Sequence, residues 1–243
     1  MEIFTKDTKG VICLVGAGGK KTTMYALSTF LKGRVALSST TQMYHYDQRY
    51  VDRLSRVGEG FVDNNLIKKG RVRAYFGPDV GKDRVEGLCE KVLKRIWDSG
   101  EHDFLIIKAD GARARLVKGP NPGEPLIPSF ADTVIPVVSV KAVGKKLTAS
   151  IAHRVERLSL IMNICPGDLI DIDSIARLMS SEKGFLSNVG TKMVIPLINM
   201  VDTEAELQVA REIACQALAK TDAYDLVVIG SMKNGSIKCT VER

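Results

Sequence analysis

The chain has 243 residues, of which 45% are hydrophobic and 26% charged, so it is long enough to bury a substantial core. No apolar run reaches membrane-spanning length and the N-terminus lacks a signal-peptide pattern, which together predict a cytoplasmic protein that does not bind membranes. The net charge of +7 favours an anionic ligand such as a nucleotide. The 6% of aromatic residues form no stacking motif, which argues against nucleic acid.

Predicted strands and helices alternate along the chain. Short apolar runs predict strands at residues 11–15, 35–39, 104–109, 134–138, 193–198 and 226–229, with a further one at 237–241. Amphipathic spacing predicts helices at residues 22–31, 83–97, 152–163, 172–179 and 203–220. The alternation predicts the α/β class, in which a mostly parallel sheet carries helices on both faces.

Local signals refine three of these elements. Asp83 and Glu86 are expected to cap the helix at 83–97, and Thr203 and Glu206 have the spacing of a capping box for the last helix. Pro136 lies inside a predicted strand, which indicates an edge strand or a bulge because proline cannot donate a ladder hydrogen bond.

We expect the whole chain, residues 1–243, to form a single domain around this sheet. The segment at about 111–130 contains a run rich in proline and glycine, which predicts a loop of fixed shape because proline restricts φ. The segment at about 145–185 is predicted to form a small helical insertion.

The strongest motif, V-G-A-G-G-K-K-T-T, lies between the first predicted strand and helix. Glycines let backbone N–H groups turn around a phosphate, and the N-terminus of the helix adds free donors. The motif predicts a P-loop NTPase-like fold, with Lys20 reaching the terminal phosphates. Its first glycine lies four positions before Lys20 rather than six, and this shorter form resembles the loop of the Mur ligases. The alternative is a glycine-rich turn without a ligand. The expected nucleotide-binding residues here are Gly16, Ala17, Gly18, Gly19, Lys20, Lys21, Thr22 and Thr23.

Asp110 follows a predicted buried strand, where a carboxylate that holds Mg²⁺ would stand. It is a candidate metal ligand and, with Lys20, a candidate catalytic residue; the alternative is that it caps a turn before Gly111. Lys21 occupies the position that normally supplies a hydroxyl group to Mg²⁺. Thr22 or Thr23 is the candidate substitute.

Two more strand ends carry polar residues. Asn199 and Asp202 stand where GTPases have the N-K-x-D motif, so both are candidates for contact with a nucleotide base, although Asp202 is equally a plain residue before a helix. Thr40 and Thr41 are candidates to bind phosphate or a water molecule on Mg²⁺. Basic residues after Asp110, among them Arg113 and Lys118, are candidates to bind an anion.

Taken together, these motifs resemble the YqeC family, whose members are called selenium cofactor biosynthesis proteins or selenium-dependent hydroxylase accessory proteins. The resemblance extends from Val11 to about Leu218, and the E-P-L-I-P segment at residues 124–128 is its most specific part. It implies a P-loop protein that binds ATP or GTP, with Mg²⁺ as a candidate ion, and assists maturation of selenium-dependent molybdenum hydroxylases. The implied partners are a molybdenum cofactor or a molybdenum hydroxylase. Beyond the loop, the matching residues are Thr40, Thr41, Asp110, Glu124, His153, Arg154, Asn199 and Asp202.

Two residues depart from the family pattern, because Lys21 stands in place of the usual Thr and Lys108 in place of the usual Glu. We expect their ammonium groups to lie close together and to take the place of Mg²⁺ beside the phosphates. We also expect Glu124 and Arg154 in the same cleft, with Arg154 on an anionic ligand or on Glu124. An ATPase or GTPase, a non-hydrolytic carrier of a nucleotide or cofactor, and a Mur-like ATP-dependent ligase remain alternatives.

Overall fold

The computed structural model describes residues 2–4, 10–58, 61–62 and 70–243. The helices are α1 (Lys20–Phe30), α2 (Glu90–Asp98), α3 (Val155–Met162), α4 (Ile172–Ser180) and α5 (Glu204–Lys220). The strands are β1 (Gly10–Gly16), β2 (Val35–Ser39), β3 (Met43–Tyr44), β4 (Arg53–Gly58), β5 (Phe61–Val62), β6 (Val72–Phe76), β7 (Asp79–Val80), β8 (Arg84–Val85), β9 (Phe104–Lys108), β10 (Val117–Lys118), β11 (Thr133–Ser139), β12 (Ala152–His153), β13 (Met193–Val194), β14 (Leu197–Asn199), β15 (Leu226–Ser231) and β16 (Ser236–Glu242).

Most strands join one central sheet, in the order β16-β15-β14-β11-β1-β9-β2-β6-β4-β5, with β13 beside β11. Every pairing from β15 to β4 is parallel, whereas β16 and β5 pair antiparallel at the two edges. The predicted α/β class with a mostly parallel sheet is therefore confirmed. The loops that follow β1, β2, β9, β11 and β14 open on the same edge, where parallel sheets bind their ligands.

The core lies on both faces of this sheet because side chains of β1 alternate between them. Val11, Cys13 and Val15 join a buried cluster that includes residues of α2, α3, α4 and α5. Ile12 and Leu14 join a second cluster, which includes residues of α1. Helices therefore flank both faces, as predicted. Among the described residues, each helix is too short or too polar to cross a membrane.

The helix predicted at residues 83–97 begins only at Glu90, so Asp83 and Glu86 do not cap it. Backbone hydrogen bonds hold the preceding residues in an extended conformation. The Leu88 N–H donates to the Ser39 carbonyl at 2.7 Å, and Arg84 pairs with Tyr44 in the β3–β8 ladder. Tertiary pairing here outweighs the helical spacing of the apolar residues.

Strand pairing also shortens the helix predicted at residues 152–163. Ala152 and His153 pair in parallel with Val117 and Lys118, so α3 begins at Val155. The capping box of α5 is present as predicted, since the Thr203 side chain accepts from the Glu206 N–H and the Glu206 carboxylate accepts from the Thr203 N–H.

The prediction that Pro136 marks an edge or a bulge is wrong, because β11 is a central strand and Pro136 lies opposite Val15. Backbone groups along a parallel strand bond alternately to its two neighbours. Val134 accepts from the N–H of Ile195 at 2.9 Å, so Pro136 turns its nitrogen to the same side. On that side residues 195–196 interrupt the run between β13 and β14. The missing N–H therefore coincides with a break in the neighbouring strand.

Candidate functional site

The loop between β1 and α1 requires glycine at several positions. Gly16, Gly18 and Gly19 have φ values of +85°, +77° and +111°, which side chains with a Cβ rarely adopt. A Cβ on Gly18 would lie 2.4 Å from the Ser139 nitrogen, and one on Gly16 would lie 2.5 Å from the Val137 oxygen. The glycines thus let the loop pass directly over the end of β11.

The start of α1 presents backbone donors at the carboxyl edge of the sheet. The Thr23 N–H donates to the Gly19 carbonyl at 2.9 Å, so the preceding N–H groups of Lys20, Lys21 and Thr22 lie before the first intrahelical bond. Within the loop, the Gly18 N–H already donates to the Arg115 carbonyl at 3.0 Å. The helix N-terminus is therefore the part of the loop that can receive an anion.

Lys20 and Asp110 form a buried ion pair beneath the loop. The Lys20 Nζ lies 2.9 Å from Asp110 Oδ1 and also donates to the Gly16 carbonyl. Asp110 Oδ2 accepts from the Gly16 N–H at 3.0 Å and from the Lys118 Nζ at 2.8 Å. Burial opposes ionisation of Asp110, but the charges of Lys20 and Lys118 outweigh this effect and lower its pKa.

This arrangement does not fit the predicted metal role of Asp110, because both of its oxygens are engaged by cations of the protein. Within the described part of the chain, no three His, Cys, Asp or Glu side chains are grouped to hold a metal ion. The Thr23 hydroxyl is buried and donates to the Gly19 carbonyl at 3.1 Å. Thr22 is exposed, which leaves its hydroxyl as the candidate oxygen ligand near the loop.

The ion pair extends into a chain of charges under the proline-rich loop. Lys118 Nζ lies 2.9 Å from Glu124 Oε2, and both Glu124 oxygens accept from the Arg154 guanidinium, at 2.6 and 2.7 Å. Burial opposes ionisation of Glu124, but hydrogen bonds from Arg154 and Lys118 lower its pKa to about 2. The predicted contact between Arg154 and Glu124 is therefore present, and it joins helix α3 to the proline-rich loop.

Lys108, at the end of β9, differs from Lys20 and Lys118 because it is a buried cation outside the ion pairs described above. Its Nζ donates to the Thr41 hydroxyl at 2.9 Å, and no described carboxylate forms an ion pair with it. Burial lowers its pKa to about 7, and the nearby charges of Lys20, Lys118 and Lys21 act in the same direction while Asp110 opposes them. An anion placed beside Lys108 would supply the partner that the protein does not.

Lys21 does not share this role. Its Nζ donates to the carbonyl groups of His45 at 2.5 Å and Tyr44 at 3.3 Å. The expectation that both departing lysines face the phosphates must therefore be corrected. Lys21 borders the site but ties the start of α1 to strand β3, whereas the Lys108 ammonium faces the site with one hydrogen bond.

These groups border a cavity of about 510 Å³, a size that suits a small-molecule ligand. Its walls are residues 17–22, residues 41–44, Arg84, Lys108, residues 111–115, Glu124, His153 and Arg154. Seven lysine and arginine residues border the cavity against one carboxylate, Glu124, which is already paired. Burial, followed by the charge of Arg154, lowers the pKa of His153 to about 4, so His153 is neutral at neutral pH.

Several predicted site residues have other surroundings. The Asn199 amide donates to the Gly18 carbonyl at 2.8 Å and accepts from the Met232 N–H at 2.9 Å, while its side chain is buried. Asp202 pairs with Lys141 at 2.5 Å and accepts from the Ser231 hydroxyl at 2.7 Å. Neither residue borders the cavity. Both side chains bond within the protein, and their expected contact with a base stays a prediction.

Of the other residues predicted to bind an anion or phosphate, some border the cavity and others lie buried behind it. Thr41 and Arg113 border the cavity, whereas Lys118 lies buried in the charge chain. The Thr40 hydroxyl is buried outside the lining, with no hydrogen-bond partner in the described residues. The wall formed by Tyr44 and Arg84 was missed, because β3 and β8 have two residues each and leave no periodic signal.

Comparison with known proteins gives a consistent match. The family model described as YqeC protein matches residues 12–156, which include the loop, Lys108 and the whole charge chain. The chain is 24% identical to "Uncharacterized protein YqeC" of Escherichia coli (strain K12) over 182 residues, covering 74% of this chain and 71% of that protein. Asn199 and Asp202 lie outside the segment that the family model matches.

Proposed function

Because the chain belongs to the YqeC family, we propose that it is a nucleotide-binding accessory protein for selenium-dependent molybdenum hydroxylases or their cofactor. The accessory role rests on the resemblance of its motifs to those of the family. The nucleotide-binding role rests on the cavity at the carboxyl edge of the sheet. We treat the two parts separately, since each has its own test.

The observation that carries the binding role is the charge balance beneath the loop. Lys20, Lys118 and Arg154 share two carboxylates, Asp110 and Glu124, and Lys108 has no ion-pair partner among the described residues, which leaves two positive charges when Lys108 is protonated. A phosphate group carries up to two negative charges and accepts hydrogen bonds from a helix N-terminus. A terminal phosphate between α1 and Lys108 would balance the cluster.

The same contacts favour a carrier that does not hydrolyse its nucleotide. Metal-dependent hydrolysis needs a carboxylate that is free to orient Mg²⁺, and both oxygens of Asp110 are bound to Lys20, Lys118 and Gly16. Lys108 supplies charge on the side where the ion would otherwise stand. We therefore propose binding of ATP or GTP without a requirement for Mg²⁺, followed by delivery of the nucleotide or of a nucleotide-bearing cofactor.

Calorimetric titration with inorganic tripolyphosphate and with ATP tests the binding role. Lys20→Ala should weaken both ligands by about 1.5–3 kcal/mol, the range for a hydrogen bond to a charged group. Lys32→Ala removes an exposed lysine beyond the end of α1 and serves as the control. Lys108→Met gives a second test that leaves the Lys20–Asp110 pair intact. Unchanged affinity in both site variants would rule out phosphate binding at this loop.

The accessory role is tested in cells. A strain that carries Lys20→Ala or Arg154→Ala as its sole copy should lose activity of the molybdenum hydroxylase, while the Lys32→Ala strain keeps it. Immunoblots of the three strains establish that each variant accumulates to the same level. Full hydroxylase activity in the Lys20→Ala strain would contradict the accessory role even if nucleotide binding in vitro were established.

A further inference from the structure

The wall of the cavity formed by strands β3 and β8 carries an aromatic ring and a guanidinium group side by side. Tyr44 and Arg84 lie opposite each other in the antiparallel ladder, with the guanidinium carbon 4.8 Å from the centre of the ring. Both residues border the cavity that contains the phosphate loop. The Tyr44 side chain is 56% exposed, so much of its ring is open to the cavity and to solvent.

Strand alternation explains why these two groups face outward. Met43 and Val85, their neighbours on the two strands, are buried in the core and anchor the wall. Arg84 forms no ion pair with any residue that the structure describes, and its guanidinium, which lies over the Tyr44 ring, is exposed. A pair of strands that served only to cover the core would need neither group at this position.

The wall is held at a fixed place relative to the phosphate donors. Lys21 follows the loop lysine in α1, and its Nζ donates to the carbonyls of Tyr44 and His45. The same helix turn therefore presents N–H groups for a phosphate and fixes the strand that bears the ring. This link gives a structural role to the lysine that replaces the threonine usual in the family.

We propose that Tyr44 and Arg84 form a subsite for a planar nitrogen heterocycle whose phosphate lies at the start of α1. The proposal rests on the function proposed above and adds where the ring binds and how. Aromatic rings and guanidinium planes stack on heterocycles. Gln42, an exposed residue of the same wall, adds an amide that can bond the polar edge of the ring. The ligand class is a nucleoside phosphate or another phosphorylated heterocycle.

The test compares a ligand with a ring and one without. Isothermal titration of each variant uses ATP and inorganic tripolyphosphate in the same buffer. Tyr44→Ala should weaken ATP binding on the order of tenfold, as expected for the loss of one stacked base. Affinity for tripolyphosphate should not change, because the phosphate donors are untouched. Tyr44→Phe should retain the affinity for ATP, since it keeps the ring.

Two further variants protect the result from effects on folding. Arg84→Lys retains the positive charge but removes the planar guanidinium group. It should weaken the binding of ATP and leave the binding of tripolyphosphate unchanged. Tyr50→Ala removes a tyrosine outside this cavity, whose ring centre lies 4.6 Å from that of Tyr25 in a stacked pair. This variant should bind both ligands with wild-type affinity. A titration series with ATP, GTP, CTP and flavin mononucleotide identifies which ring the subsite prefers.

The outcomes separate this proposal from the one on which it rests. If tripolyphosphate binds to the wild type and Tyr44→Ala weakens both ligands equally or neither, phosphate binding stands and the ring subsite is wrong. If neither ligand binds to the wild type, the proposed function fails and the subsite fails with it. Selective loss of ATP affinity in Tyr44→Ala and Arg84→Lys supports the subsite.

Discussion

The carboxyl edge of the sheet differs on the two sides of β1. On the side of β9 and β2, Lys108 and Thr41 border an open cavity, and the Lys108 ammonium donates to the Thr41 hydroxyl. On the side of β11 and β14, both ends of the Asn199 amide are bonded to the backbone, and Asp202 is paired with Lys141. Polar residues follow the strands on both sides, but only those on the side of β9 and β2 border the cavity that the loop lines, and Asn199 and Asp202 do not.

The difference shows that the position of a polar residue at a strand end does not by itself make a binding site. Asn199 and Lys108 are both buried strand-end residues, but the first has its hydrogen bonds satisfied and the second has no ion-pair partner among the described residues. A buried cation without an ion-pair partner is costly unless a ligand compensates it. The proposed ligand site is therefore inferred from the unpaired group rather than from the motif.

The largest expected effect on stability comes from the buried ion pairs of Asp110, which lie beneath the loop between the two sides. Asp110→Asn leaves Lys20 and Lys118 buried without their shared carboxylate, and the free energy of unfolding should fall by about 3–5 kcal/mol. Urea denaturation measures the loss. Asp173→Asn, which breaks exposed pairs with Arg177 and Lys220, should cause a much smaller loss. Equal losses would mean that the charge chain is not what supports the loop.

Two glycines with nearly the same positive φ allow the cost of backbone strain to be measured apart from the cost of a steric clash. Gly18 and Gly123 have φ values of +77° and +80°, but a Cβ on Gly123 meets nothing within 4 Å. Gly123→Ala should therefore cost about 1–2 kcal/mol of unfolding free energy, and Gly18→Ala about 2–4 kcal/mol because its Cβ also meets Ser139. Thermal denaturation compares the two. Losses of the same size would contradict the close passage of the loop over β11.

Residues on the side of β11 and β14 should contribute to the stability of the protein and not to its preference between nucleotide bases. Asn199→Ala removes hydrogen bonds to Gly18 and Met232, which should lower the free energy of unfolding by about 1–3 kcal/mol. The ratio of the affinities for ATP and GTP should stay as in the wild type, in this variant and in Asp202→Ala. Titration of both variants with the two nucleotides measures that ratio. A changed ratio would indicate that the base binds beside Asn199 and Asp202 at the end of β14.

On the side of β9 and β2, the affinity for phosphate ligands should depend on pH through the protonation of Lys108. Its pKa of about 7 means that the ammonium form is present at pH 6 and is mostly lost by pH 8.5. Since an anion prefers the charged form, affinity for tripolyphosphate should fall by about tenfold over this range. Lys108→Met should flatten the profile and Lys108→Arg should keep high affinity throughout. A profile with the same slope in Lys108→Met would assign the pH effect to another group.

The strand, glycine loop and helix around Lys20 could be predicted from sequence because each signal is local. A buried apolar run ends in glycines and leads directly into a helix, so β1 and α1 lie within two residues of their predicted ends. The sheet strands β4 and β6 were missed. Arginines interrupt their apolar pattern, and their pairing partners are distant in sequence.

The partners of the site residues could not be predicted in the same way. Asp110 was expected to hold Mg²⁺, but the parallel pairing of β10 with β12 brings the Lys118 ammonium to its second oxygen. Asn199 was expected to face a base, yet the order of β11, β14 and β15 in the sheet puts its amide between Gly18 and Met232. Both outcomes depend on tertiary packing that no spacing along the chain encodes.

The central claim is that protein cations, rather than a metal ion, neutralise the bound phosphates. The most direct measurement is the affinity for ATP by isothermal titration, once with excess EDTA and once with excess Mg²⁺. We predict that wild-type protein binds ATP in EDTA at least as tightly as with Mg²⁺, because Lys20 and Lys108 already border the cavity proposed to hold the phosphates. Binding that occurs only when Mg²⁺ is added would contradict this account.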